Sequence, residues 1–113
     1  MTDLIKAKLI TAILPKGISL GVVRLLREEK GVNTANFNYA RGTGKLTPLK
    51  YSGGVVEHEK EILTVIVEAS RSEEIFAYVY EQSGVNKPHG GLMFMYSLKQ
   101  STAYLLPDLS EEA

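Results

Sequence analysis

Hydrophobic and polar positions alternate with two periods along the chain, and the switches between them mark the elements. Residues 7–14 (A-K-L-I-T-A-I-L) are apolar with β-branched content and are stopped by Pro15-Lys16-Gly17, which predicts a buried strand. Ser19 is the predicted N-cap of a helix over 20–30, with Val22, Val23 and Leu26 on one face and Arg24, Arg27 and Glu28 on the other. Gly31 follows as its C-cap. Residues 33–40 then alternate with period two: Ala35, Phe37 and Tyr39 point one way, Asn36 and Asn38 the other. Residues 61–68 (E-I-L-T-V-I-V-E) form the strongest strand pattern, and their near-continuous apolar run predicts a central strand buried on both faces. Ser70-Arg71-Ser72-Glu73 reads as a capping box. A second helix follows to about Gln82, with Ile75, Phe76, Val79 and Tyr80 on its apolar face. A Gly/Pro loop over 83–91 leads into a strand at 92–98, a short strand at 103–106 and an acidic, frayed tail at 107–113.

The order is β-α-β-β-α-β plus a small extra strand, the pattern of a ferredoxin-like α+β sandwich in a single domain over 1–113. Right-handed crossovers place both helices on one face of a four-stranded antiparallel sheet, with strands 33–40 and 92–98 at opposite edges. The other face is left bare. Phe37, Tyr39, Phe94 and Tyr96 are expected on it, and an exposed apolar surface of that size implies association, here a homo-oligomer with its sheets packed inward.

Composition narrows the function classes. The 113 residues carry 13 basic and 13 acidic side chains, so the net charge is zero and a nucleic-acid protein working through a general basic field is excluded. No apolar run approaches the ~20 residues that span a bilayer, so no membrane insertion is expected. With no cysteine there is no disulfide, Cys-ligated zinc, iron–sulfur cluster or thiol catalysis. The N-terminal apolar stretch at 9–14 is short, is broken by Thr11 and lacks a small-residue cleavage site, so it reads as a first strand and the protein as cytoplasmic. The chain has only two aspartates, Asp3 and Asp108, both near its ends, and no nucleophile motif, so no enzymatic activity is expected. His58 and His89 match no metal-ligand spacing and read as solvated loop histidines, with no metal site assigned.

Two loops carry candidate chemistry. In Arg41-Gly42-Thr43-Gly44-Lys45, glycines at a strand end can turn backbone N–H groups toward a phosphate while Arg41 and Lys45 add charge; the alternative is a Gly-rich hairpin turn. No helix follows, which excludes the dinucleotide-binding and P-loop readings. Lys87-Pro88-His89-Gly90-Gly91 is the second, with a tight turn into a strand as its alternative. Lying at opposite edges of one sheet, the two loops are apart within a subunit and could meet across a subunit boundary.

From about residue 9 to 106 the sequence resembles the P-II signal-transduction family. Ala12-Ile13-Leu14-Pro15-Lys16 is similar to its first strand and turn. Residues 32–45, ending Arg41-Gly42-Thr43-Gly44-Lys45, are similar to its second strand with the K-G-x-G-R end. Tyr51-Ser52-Gly53-Gly54 resembles the tip of its T-loop, Y-R-G-A. Ser83-Gly84 and Gly90-Gly91-Leu92-Met93-Phe94 resemble its C-terminal signature, T-G-x-x-G-D-G-K-I-F, with about two extra residues between. The resemblance implies a homotrimer with ATP, ADP or another adenine nucleotide, sometimes with 2-oxoglutarate, in the clefts between subunits. It also implies a flexible T-loop-like segment, here 41–61, that docks on a protein target such as an enzyme or transporter in nitrogen regulation. The ligand-side residues would be Arg41, Gly42, Thr43, Gly44, Lys45, Lys87, His89, Gly90 and Gly91, and the partner loop Tyr51, Ser52, Gly53 and Gly54.

This chain departs from the family pattern at identifiable positions. Leu92 stands where the family has a phosphate-contacting lysine, Ala103 and Leu105 fall near two late arginines, and Leu46 replaces a glutamine that supports magnesium and 2-oxoglutarate. Each lost contact forfeits on the order of 1–3 kcal/mol, and Lys87 and His89 are the basic residues in place to replace them. Two other readings share the fold: a trimeric metal-binding protein of the divalent-cation-tolerance type, for which two histidines are thin, and an interaction trimer with degenerate sites.

Overall fold

The structure is a computed structural model that describes residues 4–43, 57–99 and 101–102. Its elements are β1 (Leu4–Ile5), β2 (Ala7–Pro15), α1 (Ser19–Lys30), β3 (Ala35–Thr43), β4 (Glu57–Glu68), a 3-10 turn (Ala69–Arg71), α2 (Ser72–Ser83), β5 (Leu92–Ser97) and β6 (Ser101–Thr102). The main sheet has the order β3-β4-β2-β5, antiparallel throughout, with β3 and β5 at the edges. This is the expected ferredoxin-like arrangement. The short C-terminal strand is β6, which pairs with β1; the strand expected at 103–106 lies outside the described residues, as does the 107–113 tail.

Strand periodicity builds the core on one face. Ile10, Ala12 and Leu14 of β2 and Leu63, Val65 and Val67 of β4 are buried against Val22 and Leu26 of α1 and Ile75 and Val79 of α2. Full burial of side chains this size contributes about 1.5–3 kcal/mol each. Gly31 ends α1 in the left-handed conformation at φ 65°, and its N–H returns to the Leu26 carbonyl. Where α1 ends and α2 begins, Arg71 donates to the Lys30 carbonyl (3.1 Å) and to Glu74, while Tyr78 donates to Glu29 (2.5 Å). Burial, reinforced by the Glu29 carboxylate, pushes the Tyr78 phenol up to about 12.

The register moves half of the expected open face. Directly paired residues share a face. Phe37 pairs with Leu63 and Tyr39 with Glu61, so both lie on the helix side, where Phe37 packs on the core and Tyr39 projects past it, 70% exposed. Phe94 and Tyr96 pair with Thr11 and Leu9 and do lie on the open face, stacked with ring centroids 6.3 Å apart. Leu92 opposite Ile13 extends that stripe, and the half-buried Ile62 and Ile66 of β4 continue it. At the β3 edge the face turns polar, with Asn36 accepting a hydrogen bond from Thr64. The central strand β4 is thus buried on one face and only half-covered on the other.

Two expected caps are also replaced. The Ser70–Glu73 capping box does not form: Ser70 sits in the 3-10 turn, α2 begins at Ser72, and the Ser72 hydroxyl donates to the Ala69 carbonyl (2.8 Å). Ser19 is the first residue of α1 rather than its cap, and no side chain at position 18 caps the helix.

Candidate functional site

The ends of the 41–61 segment are strand. Arg41, Gly42 and Thr43 continue β3, paired with Glu59, His58 and Glu57. Strand β2 stops at Pro15, opposite Lys60, so these three rows have no third strand and project as a two-stranded arm. Gly42 therefore sits inside a ladder and not in a phosphate-cradling turn; Gly44 and Lys45, and with them Tyr51, Ser52, Gly53 and Gly54, lie outside the described residues.

The second loop is built from two tight turns. Gly84 ends α2 at φ 78°, Lys87 N–H donates to the Gly84 carbonyl (3.0 Å), and Gly90 N–H donates to the Lys87 carbonyl (2.9 Å). The Gly90 N–H is thus used within the loop. A Cβ on Gly90 would stand 2.1 Å from the Gly84 carbonyl oxygen, and one on Gly91 2.1 Å from that of Ile13. The glycine pair lets this loop lie directly on α2's end and on β2. Lys87 and His89 are exposed on its surface, His89 in the left-handed conformation at φ 62°.

The two loops share one end of the sheet. β3 runs parallel to β2 and passes its end, and β5 starts opposite Ile13. They occupy opposite edges with β4 and β2 between them, three strand spacings or about 14 Å. One chain does not bring them together, as the topology predicts.

The residue that organises this end is Glu61, where the 41–61 segment meets the strand predicted at 61–68. Glu61 of β4 is 3% exposed, and its carboxylate accepts the backbone N–H groups of Gly17 (2.9 Å) and Ser19 (2.8 Å). It thereby caps α1 from 42 residues away and meets the positive end of the helix dipole. Burial alone would raise its pKa, but the N–H groups of Gly17, Ser19 and Ile18 outweigh that and hold the carboxyl below the usual range. The buried Ser19 hydroxyl also favours the carboxylate, although it makes no hydrogen bond of ordinary geometry. Two rows further out, Lys16 pairs with Glu59 at 2.7 Å. Only the sheet register, which sets Glu61 beside Leu14, reveals this site.

Among the described residues no three His, Asp or Glu side chains gather to hold a metal ion, and no helix is long and apolar enough to cross a membrane. No protein-family model and no curated protein matches the chain. Solved structures do. GlnK from B. subtilis superposes with a TM-score of 0.63 at 15% identity, over 83% of this chain and 86% of that one. Arabidopsis thaliana PII bound to citrate gives 0.62 at 16%, over 80% and 76%. The B. subtilis GlnK–ATP complex gives 0.63 at 14%, over 83% and 84%. The chain has the fold of P-II-type proteins. At these identities the likeness is one of fold, divergent in sequence.

Proposed function

We propose that the chain is a non-enzymatic P-II-like regulator, working as a cytoplasmic homotrimer that senses an anionic small molecule between subunits and signals to a protein target through the arm. The observation that carries this is the fold, matched over four fifths of the chain with an apolar open face on β5, β2 and β4. Sheets packed inward would cover Leu92, Phe94 and Tyr96, which are 56%, 41% and 50% exposed in one chain. A ring of copies sets the β3 edge of one subunit toward the β5 edge of the next. In that arrangement Arg41 and Lys45 of one chain and Lys87 and His89 of its neighbour are the basic residues assigned to the anion. An adenine nucleotide is the favoured ligand: one similar structure is an ATP complex and another holds citrate, both anions. Segment 44–56, which joins β3 to β4 in the sequence, is the part assigned to meet an enzyme or transporter, in nitrogen regulation if the chain keeps the role its resemblance implies.

Calorimetry with ATP, ADP, AMP and cyclic AMP, with and without magnesium, tests the ligand. Binding of at least one at millimolar concentration or better is expected, and Lys45→Ala should weaken it by about 1–3 kcal/mol, one charge-assisted hydrogen bond. No heat from any of the four would contradict the nucleotide assignment and leave an interaction trimer.

A further inference from the structure

The arm leaves the body at the row Pro15–Lys60–Ala40, where pairing drops from three strands to two. A two-stranded ribbon has little stability of its own, so what holds its root matters. Two contacts straddle that row, and both come from the turn between β2 and α1. On the body side, Glu61 accepts from Gly17 and Ser19; on the arm side, Glu59 pairs with Lys16. Glu59 and Glu61 are two residues apart on one strand and so face the same way, toward that turn. Gly17 is what lets the turn present its N–H: it sits at φ 95°, a conformation L side chains rarely adopt, with open space where a Cβ would be.

We propose that the 16–19 turn is a clamp on the arm, fixing the angle at which β3 and β4 leave the sheet and coupling displacement of the arm to fraying of the first turn of α1. Swinging the arm pulls Glu59 from Lys16 and drags Glu61 off the two N–H groups, so the N-terminus of α1 loses its only described cap. A target that moves the arm is then felt at α1. That consequence rests on the partner role proposed for the arm; the clamp itself does not, because it is tested in the free protein.

Amide exchange read by mass spectrometry on the wild type, Lys16→Ala and Glu61→Gln makes the test. Lys16 is exposed, so its variant should fold. It is expected to speed exchange at 41–43 and 57–59 about two- to five-fold, the scale of an exposed ion pair, and to leave the rows of Ile10 and Val65 unchanged. Glu61→Gln should speed exchange in the arm and at 19–22 together, at least about tenfold in each. Arm amides unchanged in Lys16→Ala, or a Glu61→Gln variant that exchanges faster at 19–22 with the arm amides unchanged, would overturn the clamp. If Glu61→Gln fails to fold, the Lys16→Ala result decides alone.

Discussion

Replacing Glu61 with glutamine should destabilise the chain by about 3 kcal/mol, measured by urea unfolding, although the two side chains have nearly the same shape. The loss is one of charge and direction. An amide can offer a carbonyl to one of the Gly17 and Ser19 N–H groups but sets its own NH2 against the other. One of the two N–H donors is left unpaired, and the dipole loses its counter-charge. The pH dependence follows with a definite sign. The folded carboxyl titrates below the ordinary 4.5, so its contribution is fully present above that pH and is lost as pH falls through the lower folded value. Glu61→Gln should therefore be less stable than wild type at neutral pH and show a shallower loss of stability below pH 4.5. Parallel acid limbs would show that the charge is not what caps α1.

Gly91→Val should cost more, about 4 kcal/mol or enough to prevent folding, because two penalties act at once. Gly91 sits at φ 112°, and its Cβ would land 2.1 Å from the Ile13 carbonyl oxygen, which is backbone and cannot step aside. The strand β5 would be levered off β2 at its first row. A thermal unfolding midpoint within a few degrees of wild type would contradict this packing. In the sequence the glycine pair reads as a candidate ligand loop, with a tight turn as its alternative. The structural reason for Gly90 and Gly91 is the close backbone approach, and ligand binding by exposed Lys87 and His89 beside it belongs to the proposal.

The helices and strands were legible because their patterns are local: period two at 35–39, helical spacing at Val22 and Leu26, and Gly31 after Lys30. Sheet order followed from the β-α-β-β-α-β sequence and crossover handedness. What failed depends on register. Which face Phe37 and Tyr39 occupy is fixed by their pairing with Leu63 and Glu61, and a one-residue slip would reverse it. The cap on α1 failed for the same reason, since its donor groups and acceptor are more than 40 residues apart. The Ser70–Glu73 motif gave way because a 3-10 turn consumes its first two residues before α2 starts at Ser72. Of the candidate site, the topology correctly kept the two loops apart at one end of the sheet, whereas the arm's ladder through Thr43 was visible only as strand-like ends of a long loop.

Coverage of the open face by other copies is the point on which the proposed assembly, cleft and ligand all depend. Light scattering coupled to size exclusion, at micromolar concentration, tests it most directly with the wild type and Phe94→Glu side by side. Phe94 lies in the middle of the apolar stripe, on an edge strand and 41% exposed in one chain, so a charge there should leave the fold intact. Buried between subunits, the same charge would be strongly unfavourable. The expected result is a wild-type mass three times the 12.4 kDa of one chain and a Phe94→Glu mass of a single chain with an unchanged circular dichroism spectrum. A wild type that runs as a monomer, or a Phe94→Glu variant that stays trimeric, would contradict it.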